Sequence, residues 1–161
     1  MYNNDIKIRE GKPEDVGTLL ELIKELALYE KALNEVENTE AQLLADGFGN
    51  QPLYGFFLAE FEGKVVGMAL YYYRYSTWKG KSMYLEDLYV KEMYRKHKIG
   101  IHLFKAIAQK AQSEDCHRIS WQVLDWNTPA INFYKKLGAE LDPEWINGHL
   151  SKSQYLQLID Q

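Results

Sequence analysis

The stretch that decides the fold is YLEDLYVKEMYRKHKIGIHLF, residues 84–104, which changes from a strand pattern to a helix pattern across a short basic loop. Tyr, Leu and Val dominate its first part, and apolar residues at helical spacing fill its last part. Another apolar run at 117–124 follows, so the chain contains one strand-helix-strand crossover. We therefore predict a strand over 82–90, a helix over 100–114 and a further strand over 117–124.

The first third of the chain predicts one short strand and two helices. Residues 5–9 alternate as a strand, and the next turn opens an amphipathic helix that begins near Pro13 and continues to about Tyr29. A second helix is predicted over 39–46, because Thr39 is a good N-cap. Gly47 and Gly49 mark its end.

Turn residues divide the rest of the chain. Two strands between Tyr54 and Tyr75 form a hairpin joined at 62–64, and a second turn at 78–81 leads to the acidic strand. We predict a helix over 128–137 and a last strand over 150–159. Antiparallel meanders combined with one crossover place the chain in the α/β (α+β mixed) class, with one sheet flanked by helices.

Length, charge and cysteine content limit the possible functions. A chain of 161 residues is the size of one domain, so we expect a single domain over 1–161. A net charge of −4 recruits neither nucleic acid nor an anionic membrane, and suits a small cationic substrate better. Cys116 is the only cysteine, which fits a reducing cytosol. No apolar segment predicts an export signal or a membrane span, so we expect a cytoplasmic protein.

Glu86 and Asp87 stand side by side in the predicted strand 82–90. Successive side chains of a strand alternate between its faces, so we expect these two on opposite faces. Acids between leucines are costly to bury, which favours a functional role. The alternative is an edge strand on which both carboxylates are solvated.

Two further segments are candidates for a site. The basic loop 94–100 precedes a helix, whose first N–H groups can bind a phosphate, although such loops are often only solvated. Residues 121–138 predict a strand end and a helix capped by Asn127, and this helix carries Tyr134. Tyr134 is either functional or a core residue with a satisfied hydroxyl. The four histidines lack ligand spacing, so no metal is expected.

Several separated blocks of the chain together resemble the GNAT superfamily of acyl-CoA-dependent N-acetyltransferases. The resemblance is closest to the diamine acetyltransferase branch, which holds the spermidine/spermine and the thialysine enzymes. It extends over nearly the whole chain. The blocks are LIKELALYE (22–30), LLADGFG (43–49), YSTWKGKSMYLEDLYV (75–90) and LDWNTPAINFYKKLGA (124–139).

This resemblance implies a splayed mixed sheet that holds acetyl-CoA between two parallel strands, here 82–90 and 117–124. Backbone amides near Leu88 would hold the pantetheine, and a loop matching Q/R-x-x-G-x-G/A would hold the pyrophosphate. It assigns the cofactor to Leu88, Tyr89, Val90, Arg95, Lys96, His97, Lys98, Ile99, Gly100, Ile101, Asn127, Pro129 and Ala130.

Lys98 departs from the family pattern, because it replaces a glycine of the pyrophosphate loop. Glycine allows a close approach of backbone to phosphate. Either the loop adopts a conformation that lysine can reach and the ammonium adds positive charge, or cofactor binding is weakened. We favour the first, since the other blocks are intact.

The resemblance also implies the chemistry. An alkylammonium must lose a proton before it attacks a thioester, and the family places the base at Glu86. The acid that protonates the departing thiolate falls on Tyr134. We expect direct transfer in a ternary complex.

The resemblance also implies substrate contacts from acidic and aromatic side chains. These are Tyr29, Glu30, Trp78, Glu86, Asp87, Glu144 and Trp145. Ser76-Thr77 matches the thialysine enzymes, whereas the spermidine/spermine enzymes resemble Asp-Pro there, so we favour thialysine or another short amine. Alternatives are a protein or peptide N-acetyltransferase and a catalytically silent acyl-CoA-binding domain. A homodimer is implied by resemblance alone.

Overall fold

The computed structural model describes residues 6–159. The chain divides into two compact units, Met1–Gln122 and Val123–Gln161, and each is described by itself. The single domain expected over 1–161 stays a prediction. Within 6–159, no helix is both long and apolar enough to cross a lipid bilayer.

The first unit is a five-stranded sheet with helices. Its strands are β1 (Ile6–Glu10), β2 (Gly55–Phe61), β3 (Lys64–Ser76), β4 (Gly80–Val90) and β5 (Ile119–Ser120). Its helices are α1 (Val16–Tyr29), α2 (Glu40–Phe48) and α3 (Ile99–Ser113), and 3₁₀ turns lie at Pro13–Asp15, Leu33–Glu35 and Glu92–His97. The strands follow one another in chain order, with β4 and β5 parallel and the other pairs antiparallel. The predicted mixed sheet is confirmed, and the first predicted strand, 5–9, begins at a residue outside the described ones.

The second unit contains two short helices, α4 (Thr128–Lys136) and α5 (Lys152–Ile159). The capped helix predicted over 128–137 is therefore confirmed. The strand predicted over 150–159 is wrong. Ser151 Oγ accepts a hydrogen bond from Gln154 N, and Ser151 N donates to Gln154 Oε1. This reciprocal capping box starts a helix, and the alternation of apolar residues over 150–159 concealed it.

The start of α2 was predicted correctly, and so was Gly49 as a mark of its end, because Gly49 is the C-cap residue. Thr39 Oγ1 accepts from Gln42 N at 3.2 Å, as expected of an N-cap. Gly47 does not end the helix, which continues to Phe48. A Cβ at Gly47 would lie 2.6 Å from the ring of Tyr54, so this glycine makes room for an aromatic side chain. Tyr54 in turn donates its hydroxyl to Leu43 O at 2.6 Å.

Both hairpins form where turn residues predicted them. Glu62 and Gly63 have φ angles of 50° and 75°, the left-handed pair of a type I′ turn. Gly80, with φ of 90°, begins β4 after the second turn. These turns fix the register of β2, β3 and β4.

The sheet buries a cluster of side chains on each face. One cluster includes Met83, Leu85 and Leu103 and lies on the α3 side. The other includes Leu19, Leu58 and Met68 and lies on the side of α1 and α2. The two clusters define the α3 side and the α1 side of the sheet.

The strand predicted over 117–124 is much shorter in the structure. β5 consists of Ile119 and Ser120, opposite Met83 and Tyr84, and backbone bonds from His117 N to Lys81 O and from Met83 N to Arg118 O continue its contact with β4 on the N-terminal side. The chain then leaves the strand direction, and Asn127 N donates to Leu124 O in the turn before α4. Turn bonds and sheet bonds compete for the same backbone groups, and from Leu124 onward the chain forms a turn.

Candidate active site

A β-bulge interrupts β4 beside its two acids. Leu70 and Tyr71 are consecutive in β3, yet they pair with Asp87 and Leu85. Glu86 is therefore an extra residue without a pairing partner. Such bulges change the direction of nearby side chains.

The bulge places both acids on the α1 side of the sheet. Leu85 and Leu88 both join the α3-side core although they are three residues apart, which shows that the alternation has shifted. Asp87 pairs with Leu70, whose side chain belongs to the α1-side core. The expectation that Glu86 and Asp87 face opposite ways is thus wrong, because it assumed an uninterrupted strand.

A third carboxylate, Glu30, directly follows the last residue of α1. Burial, and next the charge of Glu86, raises the pKa of Glu30 above its usual value. Burial, with Glu86 and Glu30 adding to it, raises the pKa of Asp87 to about 7. Because Glu86 acts on both Glu30 and Asp87, and Glu30 acts on Asp87, we call Glu30, Glu86 and Asp87 the acidic cluster. Such a cluster attracts cations, and at neutral pH it exchanges a proton readily.

Tyr72 and Tyr84 belong to the same face and were missed by the sequence analysis. They pair across β3 and β4, and their ring centroids are 5.2 Å apart. Burial, followed by the charge of Glu86, raises the pKa of each hydroxyl. The sequence did contain a signal for Tyr84. It lies two positions before Glu86, and residues two apart in a strand share a face.

Arg95 lies against Tyr29 and β4. Its guanidinium carbon is 4.8 Å from the centre of the Tyr29 ring and 5.8 Å from that of Tyr89. Its Nε donates to Val90 O at 3.0 Å. The resemblance assigned Tyr29 to the substrate and Tyr89, Val90 and Arg95 to the cofactor. The structure brings all four residues together.

The start of α3 has the features of an anion site. Lys98 is the N-cap residue, and no side chain caps the helix there. The N–H groups of Ile99, Gly100 and Ile101 belong to the first turn, whose amides have no partner within a helix. Lys96 and His97 are exposed beside it, and the His97 ring lies 4.8 Å from that of Phe61.

The end of β4 has one edge that no described strand covers. β3 pairs with β4 through Val90, whereas β5 pairs only with Met83 and Tyr84. On the β5 side, the backbone of 88–90 has no strand partner among the described residues, and Val90 O accepts from Arg95 Nε instead. The two parallel strands β4 and β5 are therefore unpaired with each other at this end of β4.

The second unit contains the other predicted residues. Asn127 Oδ1 accepts from Ala130 N at 3.4 Å, and Pro129 lies in the first turn of α4. Tyr134 is buried, with its ring centroid 5.3 Å from that of Phe133. Glu144 and Trp145 lie in an exposed segment without regular structure.

Trp78 does not join the acidic cluster. It lies in the turn between β3 and β4 and is 84% exposed. Glu86 is roughly 20 Å along β4 from this turn, at the usual rise of a strand. Ser76 Oγ accepts from the N–H groups of Trp78 and Lys79, so Ser76 has a structural role in the turn.

Metal ligands do not gather in the described part of the chain. No group of three His, Cys, Asp or Glu side chains between residues 6 and 159 has an arrangement that could hold a metal ion.

Comparison with known proteins decides the family. The sequence profile described as "Acetyltransferase (GNAT) family" matches residues 19–139. The chain belongs to the GNAT acetyltransferase family. A thialysine N-epsilon-acetyltransferase of Bos taurus is 46% identical over 143 residues, which cover 84% of each chain. The resemblance to the diamine acetyltransferase branch is thereby confirmed.

Solved structures share the fold of this GNAT chain. An integron cassette protein from the mobile metagenome of V. cholerae has a TM-score of 0.79 at 25% identity, and the match covers 98% of this chain and 99% of that one. The aminoglycoside N-acetyltransferase AAC(6')-Iy, solved in complex with CoA, has a TM-score of 0.72 at 19% identity, with 91% and 95% covered.

Proposed function

We propose that this GNAT acetyltransferase moves the acetyl group of acetyl-CoA to a primary amine of a small cationic substrate, of the thialysine or short diamine class. The observation that carries the proposal is the acidic cluster. Three carboxylates on one side of the sheet favour a ligand with positive charge. The bovine relative is named for thialysine, which supports a short amine over spermine.

The residues present fit acetyl-CoA. The uncapped start of α3 offers N–H groups to the pyrophosphate, with Arg95, Lys96 and Lys98 supplying positive charge. The edge of β4 at 88–90, apart from Val90 O, which accepts from Arg95, offers backbone groups to the pantetheine. Bound acetyl-CoA supplies the thioester that the amine attacks.

Glu86 removes a proton from the ammonium, directly or through a water molecule, in the proposed mechanism. The neutral amine then attacks the acetyl carbon, and Tyr134 protonates the departing thiolate. Family resemblance supports both roles. Because Asp87 and Glu30 surround the base with negative charge, they hold the cation and oppose its early release.

A panel of amines tests the proposal. CoA release is followed with thialysine, spermidine and a short peptide, on the wild type and on Glu86→Gln and Tyr134→Phe. We expect turnover with thialysine, and a fall in kcat of about 100-fold or more in each variant, the usual contribution of a general acid or base. Glu21→Gln, an exposed acid of α1, is the matched control for lost charge.

Other results would contradict parts of the proposal. Preference for the peptide would indicate a protein N-acetyltransferase, and no turnover on any amine would indicate an acyl-CoA-binding domain. Undiminished turnover in Tyr134→Phe would remove its role as the acid. The homodimer and the cytoplasmic location implied by the resemblance stay predictions.

A further inference from the structure

Arg95 makes three contacts that phosphate binding does not require. Its guanidinium stacks near the rings of Tyr29 and Tyr89, and its Nε donates to Val90 O. Tyr29 is the last residue of α1, and Tyr89 and Val90 end β4. The side chain therefore joins the end of a helix to the end of a strand.

The helix end that Arg95 covers carries an acid of the cluster. Glu30 follows Tyr29 directly, and its N–H donates to Leu26 O at 2.9 Å. The chain then turns sharply, since Lys31 has a φ of 61° and Ala32 N donates to Ala27 O. The direction of the Glu30 carboxylate thus depends on how firmly this last turn is held.

A second set of contacts joins the same two elements. The Tyr89 hydroxyl donates to Glu25 Oε2 at 3.2 Å, and Lys91 Nζ lies 3.1 Å from Glu25 Oε1. Glu25 is one turn before Tyr29 on α1. Arg95 therefore completes a clamp between α1 and β4 that consists of Glu25, Tyr29, Tyr89, Lys91 and Arg95.

We propose that Arg95 is a positioning residue for the amine site, which holds Tyr29 and Glu30 in place through this clamp. The inference rests on the proposed function, because it assigns the amine to the acidic cluster. A planar guanidinium can stack on two rings while Nε donates to a carbonyl, and a lysine ammonium cannot do both. Arg95 thus links the loop that faces the cofactor to the carboxylate that faces the amine.

Three variants separate positioning from phosphate binding. Arg95→Lys keeps the charge but loses the stack, Arg95→Gln loses both, and Lys96→Gln removes one charge from the same loop. We expect the KM for thialysine to rise about fivefold in both Arg95 variants, because neither lysine nor glutamine can keep the contacts of the guanidinium with both rings and with Val90 O. The KM for acetyl-CoA should rise in Arg95→Gln and Lys96→Gln and change little in Arg95→Lys.

An unchanged amine KM in Arg95→Lys would overturn the proposal, and so would an equal rise in Lys96→Gln. Hydrogen exchange provides a test that does not need activity. The amides of Glu30, Lys31 and Ala32 should exchange about fivefold faster in Arg95→Lys than in Lys96→Gln, with the core amides of Leu58 and Met68 unchanged. Equal exchange at 30–32 would refute positioning. A wild type without turnover would refute the proposed function alone.

Discussion

Lys98 has a backbone conformation that favours glycine. Its φ is 61° and its ψ is 18°, in the left-handed region. This conformation costs an L-residue roughly 1 kcal/mol, and glycine adopts it freely. The loop is therefore one that lysine can reach, with some strain, and the family glycine at this position has a physical reason.

Replacing Lys98 by glycine should raise the free energy of unfolding by about 0.5 to 1 kcal/mol, because backbone strain is removed. Urea unfolding measures it. Lys98→Ala keeps the Cβ and serves as the control, with little expected change. Both variants should bind acetyl-CoA less tightly in calorimetry, since both lose the ammonium. Much tighter binding by Lys98→Gly would show that the lysine is a handicap.

Asp87 should make stability depend on pH. Its pKa is raised to about 7 by burial and by Glu86 and Glu30, against about 4 in an unfolded chain. Below pH 4 the carboxyl is protonated in both states, and no penalty arises. Between pH 4 and 7 the unfolded state ionises more readily, so stability falls as pH rises.

Asp87→Asn removes this penalty. The variant should gain roughly 2 to 3 kcal/mol more in the free energy of unfolding at pH 8 than at pH 5. Urea unfolding at the two pH values measures the difference, with Glu21→Gln as a control for the loss of one surface charge. An equal gain at both pH values would contradict the burial of this carboxylate.

β1 is fixed to its neighbours by an ion-pair network around Arg9. The guanidinium forms a bidentate pair with Asp15 at 2.7 and 2.9 Å, and its Nε donates to Glu60. The Arg9 hydrogen bonds hold the pKa of Asp15 below its usual value, although burial opposes them. The network therefore joins β1 to β2 and to the turn that opens α1.

Asp15→Asn should lower the free energy of unfolding at pH 7 by roughly 1 to 3 kcal/mol, because it leaves part of Arg9 unpaired. The loss should shrink as pH falls below about 4, because the carboxyl of the unfolded wild type then takes up a proton, whereas the native carboxyl, with its lowered pKa, does so only at lower pH. Lys7→Gln is the control, since Lys7 is largely exposed and 3.9 Å from Glu60. Comparable losses in both variants would argue against a special role for Asp15.

Elements with local signals were predictable. Thr39 capped α2 as expected, and Asn127 capped α4. The capping pair Ser151 and Gln154 was also local, but an alternating apolar pattern favoured a strand. The prediction was wrong because it followed the two-residue alternation of apolar side chains and disregarded the capping signal of Ser151 and Gln154.

The whole chain is expected to behave as one domain. If so, both compact units should unfold in one cooperative transition with a shared midpoint in urea. A variant with Trp126→Phe and Trp145→Phe keeps fluorescence in the first unit, and one with Trp78→Phe and Trp121→Phe keeps it in the second. Different midpoints in the two variants would show two independent domains.

The sequence by itself determined most elements, the family and the residue types of the site. The elements follow from periodicity, caps and turns, which act over a few residues, whereas the family and the proposed site residues follow from the resemblance of several sequence blocks. Only the tertiary structure decided that Glu86 and Asp87 share a face, that β5 ends at Ser120, and that Arg95 stacks on Tyr29. The bulge in β4 depends on pairing with β3, and the Arg95 stack depends on packing between α1 and β4. Such contacts join residues far apart in the chain, and local pattern carries no information about them.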